Sequence, residues 1–143
     1  MQSAEKRLVR SQVDKFLLRQ EATLLFLLVG VAILDLADEW ALAALAERFG
    51  VKLTSEITLF WFKEINPETL RQFLSVACEY GKAGEVEITD EGRDHKFSIY
   101  HEYGKNWSIF WKHYLDKSIR TYLKAIPQIE TTENTVAVRF QTP

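Results

Sequence analysis

The chain opens on a long proline-free stretch in which Leu8, Val9, Val13, Phe16, Leu17 and Leu24 recur at helical spacing, with Lys6, Arg7, Arg10, Lys15 and Arg19 between them. That periodicity predicts a helix from residue 4 to about 36. From Ala22 to Leu34 the pattern loses its polar face altogether. A helix that is apolar on every side has to be buried, in a core, in an interface or in lipid. Crossing a bilayer takes roughly 20 apolar residues. This shorter run is closed by Arg19, Gln20 and Glu21 on one side and by Asp35, Asp38 and Glu39 on the other. A buried helix is expected, and no membrane span.

Asp38 has the character of an N-cap, Glu39 follows in the first turn, and Gly50 stands where a C′ residue belongs. Trp40, Leu42, Ala43, Leu45, Ala46 and Phe49 lie between them, so a second helix is expected over 39–49. Ile57–Phe62 reads ITLFWF, a β-branched and aromatic run that predicts a strand. Both of its faces are apolar, which suits a central strand covered on each side. Asn66 and Pro67 mark the cap and first position of a helix that buries Leu70, Phe73, Leu74 and Ala77 and stops near Gly81. Glu85–Thr89 and Lys96–Tyr100 alternate around the polar turn at 90–94 and predict a hairpin. Gly104 and Asn106 open a helix whose inner positions include Trp107, Phe110, Trp111, Tyr114, Ile119, Tyr122 and Leu123, and which Pro127 halts. Thr135–Phe140 closes the series as an alternating strand.

From about residue 55 the expected order is strand, helix, strand, strand, helix, strand. This βαββαβ order resembles the ferredoxin-like split βαβ topology, over about 60% of the chain. The expected fold is therefore α+β, with a helical arm (1–50) packed on or swapped over a ferredoxin-like domain (51–143) that has a four-stranded antiparallel sheet. Such a sheet has one open face, here carrying Phe60 and Phe62, and the N-terminal helices are its expected cover. The topology serves many unrelated tasks and does not define function.

The 143 residues are 47% hydrophobic and 27% charged, the balance of one folded domain. Four tryptophans among 13% aromatics ask for more burial than one small sandwich offers. A formal charge of −2 gives no global field toward nucleic acid or anionic lipid. The single cysteine, Cys78, excludes an internal disulfide and fits a reducing, cytoplasmic setting.

Candidate chemistry is sparse. His95, His101 and His113 match no metal-binding spacing, and His95 and His101 are six residues, about 20 Å, apart on an extended strand. No metal or cofactor is expected. Ser108 has no nucleophile elbow around it, and Cys78 lies in the apolar face of a helix, where a thiol is inert. The run His101–Ser108 joins a strand end, a glycine turn and a helix N-terminus, a setting suited to a small anionic ligand held by His101, Lys105, Asn106 and Trp107. Leu45–Val51 has the look of half a helix-turn-helix, but the residues after it lack the exposed basic and amide side chains of a recognition helix. RNA stacking on Phe60, Phe62 and Tyr100 lacks the glycine-aromatic pattern that would support it. Lys105, Lys112, His113, Lys117, Arg120 and Lys124, opposed by Asp116, form a basic ridge of the kind solvated helices carry.

The expectation that follows is a small, non-enzymatic, homo-oligomeric domain for ligand sensing or protein interaction, paired with itself through Leu24, Leu27, Leu28, Val31, Trp40, Phe60 and Phe62. Two alternatives stand beside it. One is a DNA-binding regulator using Arg7, Arg10, Lys15, Arg19 and Arg48. The other is a small enzyme centred on His101.

Overall fold

The computed structural model describes residues 3–143, and for Val9, residues 13–22, Val51 and Leu53 it describes the backbone alone. The elements run α1 (Ala4–Leu34), α2 (Glu39–Phe62), α3 (Pro67–Glu79), β1 (Glu85–Glu91), β2 (Asp94–Tyr100), α4 (Lys105–Ser118), β3 (Gln128–Thr131) and β4 (Thr135–Gln141). α4 passes directly into a π-helical turn, Ile119–Leu123. The strands form one antiparallel sheet in the order β1-β2-β4-β3. The α+β class and the four-stranded antiparallel sheet agree with the sequence reading. So do α3, the β1–β2 hairpin, α4 and β4. The apolar stripe expected at Val9, Val13, Phe16 and Leu17 lies outside the described side chains.

Ile57–Phe62 is helix, not strand. α2 runs unbroken from Glu39 to Phe62, so the expected division at Gly50 falls inside a helix and the element order is αααββαββ rather than βαββαβ. The physical reason lies on its inner face. Leu42, Ala46, Gly50, Thr54 and Thr58 follow one another at intervals of four and are all buried, a single helical stripe. α2 packs chiefly against α4. A Cβ at Gly50 would stand 3.0 Å from the Tyr114 carbonyl oxygen and 3.3 Å from Ser118 Oγ. The glycine therefore lets two helices close on each other instead of ending one. Ser118 Oγ donates to the Gly50 carbonyl at 2.9 Å, and the Thr54 and Tyr114 hydroxyls are hydrogen-bonded. Tertiary packing of this stripe overrides the β propensity of the aromatic run.

β3 was absent from the sequence reading. It pairs with β4 from Gln128↔Arg139 to Thr131↔Val136 and supplies the fourth strand in place of Ile57–Phe62. The inner face of the sheet carries the buried residues His95, Phe97, Ile99, Val136, Val138 and Phe140. Its outer face presents Glu85, Glu87, Lys96, Tyr100, Gln128 and Arg139, all exposed. That alternation is the mark of an antiparallel sheet with one wet side. The outer face is thus polar, and Phe60 and Phe62 belong to α2. The expected aromatic sheet face under an N-terminal cover does not exist.

The core joins the inner sheet face to Trp107, Trp111, Tyr114 and Leu115 of α4, Leu70, Phe73 and Leu74 of α3, and Val31 and Leu34 of α1. Among the described side chains of α1, those in or against the core are Leu27, Val31 and Leu34, toward its end. All described residues among 3–12 are exposed. At 1.5 Å per residue the helix is about 46 Å long.

Candidate functional site

The run from His101 to Ser108 was the leading site in the sequence. His101 leaves the end of β2 with its backbone N–H donating to the Asn134 carbonyl at 2.9 Å. Gly104, at φ 90°, turns the chain into α4 in a conformation that side-chain-bearing residues rarely adopt. Gly104 is the N-cap; Asn106 sits inside the first turn. The His101 ring is buried. Its Nδ1 accepts the Tyr103 backbone N–H at 3.1 Å, and its Nε2 lies 2.7 Å from Ser108 Oγ. An accepting Nδ1 fixes the neutral tautomer with the proton on Nε2, so the ring donates to Ser108. A ring already protonated toward the hydroxyl cannot draw that hydroxyl's proton away. The pair is built as a latch between β2 and α4 rather than as a nucleophile and its base. Burial holds the His101 pKa below the ordinary histidine value, which favours the same neutral form.

The other three predicted ligand residues serve the fold as well, or face solvent. Asn106 Nδ2 donates to the carbonyls of Leu34 (2.8 Å) and Ala37 (3.2 Å), tying the α1–α2 corner to α4. Trp107 Nε1 donates to the Ala83 carbonyl at 3.1 Å. Lys105 is exposed. Tyr103 lies between the His101 and Trp107 rings, stacked at 6.1 Å on the first and edge-on at 5.5 Å to the second. Beside this run is an open groove of about 1070 Å³, lined in part by Leu24, Cys78, Lys82, Glu85 and Glu102. The groove mixes apolar atoms with charges of both signs. Burial pushes the Cys78 thiol up to about 11, so it contributes no thiolate at neutral pH.

The remaining histidines lie elsewhere. His95 Nδ1 is 3.2 Å from Asp90 Oδ1, and its Nε2 is 3.2 Å from Thr142 Oγ1. Arg71 pairs with both Glu68 and Asp90, which joins α3 to the hairpin. His113 Nε2 is 3.6 Å from a Glu39 carboxylate oxygen. Among the described residues no cluster of histidine, cysteine and carboxylate side chains is arranged to hold a metal.

The longest run of apolar side chains that no internal packing explains, among the described residues, is the outer face of α1 and of the corner after it. Phe26 is 77% exposed, Ile33 62%, Leu36 88% and Trp40 80%. Leu25 and Val29 join them. Of the predicted interface residues, Leu24, Leu28, Trp40 and Phe60 are exposed. Val31 is in the core, while Leu27 is half-buried against it and Phe62 is half-buried. Phe60 is 20 residues from Trp40 along α2, about 30 Å away, and so belongs to a separate exposed cluster with Leu59 and Trp61. Leu25, Phe26, Val29, Ile33 and Leu36, exposed along with Leu24 and Leu28, were not singled out in the sequence. The signal was present: a run apolar on every side has more than one face, and only one of them can enter the core.

One other sequence reading loses its geometry. α2 passes through Gly50 without a turn, so the helix-turn-helix resemblance has no structural counterpart. Among the described residues no helix is long and apolar enough to cross a membrane. No protein-family model and no curated protein matches the chain.

Proposed function

We propose that the chain is a small, non-enzymatic protein-interaction domain whose working surface is the outer face of α1. The observation that carries this reading is the string of large apolar side chains from Leu25 to Trp40 left open to water. Folded monomers seldom expose contiguous apolar patches beyond a few hundred Å². The state of the other candidates supports the same reading. His101, Asn106 and Trp107 use their polar side-chain atoms on partners within the chain, which leaves little to recognise a ligand. The tautomer at His101 speaks against base catalysis. A single, buried cysteine suits a reducing compartment such as the cytoplasm.

The test is the double substitution Phe26→Asp with Ile33→Asp. Both side chains point away from the core, so the thermal melt should stay close to that of the parent chain. Binding of the apolar-surface dye bis-ANS to the native protein should fall severalfold. A variant that keeps its fold and binds the dye as the parent does refutes the reading.

A further inference from the structure

We propose that the occupant of the α1 face is a second copy of this chain, docked antiparallel about a two-fold axis near Val29. The proposal rests on the interaction reading above and adds the partner and its orientation.

Three observations carry it. The first is area. Six large apolar side chains of this face, Leu25, Phe26, Val29, Ile33, Leu36 and Trp40, are 50% to 88% exposed. At the size of such side chains they offer about 800 Å² per copy, which matches the roughly 800 Å² per partner of a stable interface. The second is the absence of charge. No ionisable residue occurs from Ala22 to Leu34, so the face can meet its own image without burying a like-charged pair, as a two-fold contact requires. The third is the asymmetry of the flanks. The face ends on Asp35, Asp38 and Glu39, while in the stretch before it Lys15 and Arg19 are balanced by Asp14 and Glu21. Antiparallel pairing sets the acidic end of one copy against this charge-balanced stretch of the other, and it also opposes the two helix dipoles. Parallel pairing would set acid against acid.

Val29 is half-exposed and lies near the middle of the face. A two-fold axis there places each Val29 beside its mate and carries each Leu36 away from its own. Single-cysteine substitutions read this directly, since native Cys78 is buried. Under mild oxidation of the full chain, Val29→Cys should cross-link into a dimer within minutes and Leu36→Cys should not. Light scattering should give twice the chain mass for the parent and the monomer mass for Val29→Asp, with the circular dichroism melt confirming that the variant folds. Three outcomes overturn the proposal: a parent that is monomeric at tens of micromolar, a dimer indifferent to Val29→Asp, or a Leu36→Cys cross-link faster than that of Val29→Cys. Bis-ANS fluorescence separates failure of the partner from failure of the surface. A monomer whose dye binding falls with Val29→Asp keeps an open interaction face awaiting a different occupant, whether another protein or a neutral phosphatidylcholine vesicle. A monomer whose dye binding ignores the substitution has no such face, and the interaction reading falls with the proposal.

Discussion

Gly30 and Gly50 both sit inside helices, and the same substitution should move stability in opposite directions at the two sites. Replacing glycine with alanine inside a helix ordinarily stabilises by about 0.5–1 kcal/mol, because the unfolded chain loses backbone freedom. At Gly30 a new Cβ meets nothing within 4 Å, so Gly30→Ala should show that gain. It should reach global stability because neighbouring Val31 and Leu34 belong to the core. At Gly50 the same Cβ lands 3.0 Å from the Tyr114 carbonyl oxygen and 3.4 Å from Tyr114 Cα. Both are backbone atoms of a packed helix and cannot swing aside. Overpacking of this kind costs about 1–3 kcal/mol, which exceeds the propensity gain. Gly50→Ala should therefore destabilise by about 1 kcal/mol, and the two variants should differ by roughly 2 kcal/mol. Urea unfolding followed by tryptophan fluorescence measures both, at a fixed chain concentration so that association does not enter the comparison. If Gly50→Ala stabilises as much as Gly30→Ala, the close approach of α2 to α4 is wrong. The account of why Ile57–Phe62 is helical would then lose its basis.

Acidification should weaken the fold through two histidines. Burial lowers the pKa of His95, aided by the Arg71 charge and opposed by Asp94, and burial lowers that of His101. The unfolded chain then binds more protons than the native one, so this part of the stability is complete above the ordinary histidine value of about 6.5 and drains away as the pH falls toward the lowered native values. The urea midpoint should drop between pH 7.5 and 5.5, less steeply in His101→Gln; an unchanged slope in that variant would remove His101 from the explanation. Cys78, pushed up to about 11 by burial, should resist Ellman's reagent in the native protein and react promptly once urea unfolds it. Fast native labelling would show that the thiol is reachable.

Local patterns announced much of this fold. Asn66 and Pro67 begin α3 as read, with Asn66 and Thr69 forming a reciprocal cap. The alternation of His95, Phe97 and Ile99 gave β2 its inner face. Two errors have physical causes. Gly50 carries the same letter whether it ends a helix or admits a neighbouring one, and only the position of Tyr114 decides between them. The interval of four linking Ala46, Gly50, Thr54 and Thr58 was the available clue, but small and hydroxyl residues count weakly in a hydrophobic pattern. β3 has a single large apolar residue, Ile129, too little for a period of two to register, and it exists because β4 offers it an edge. At the candidate site the sequence placed His101 near the start of α4 correctly. It could not show that the carbonyls of Leu34, Ala37 and Ala83 would claim Asn106 and Trp107, because those acceptors are backbone groups from 24 to 72 residues away.

The pair of hydrogen bonds from Asn106 to the α1–α2 corner makes that joint sensitive to chemical ageing. Hydrolysis of the amide to a carboxylate would exchange an NH₂ donor for an oxygen facing two carbonyl oxygens. One spontaneous covalent event, with no change in gene or conditions, would turn the hook that holds the first helix into a wedge that pushes it off.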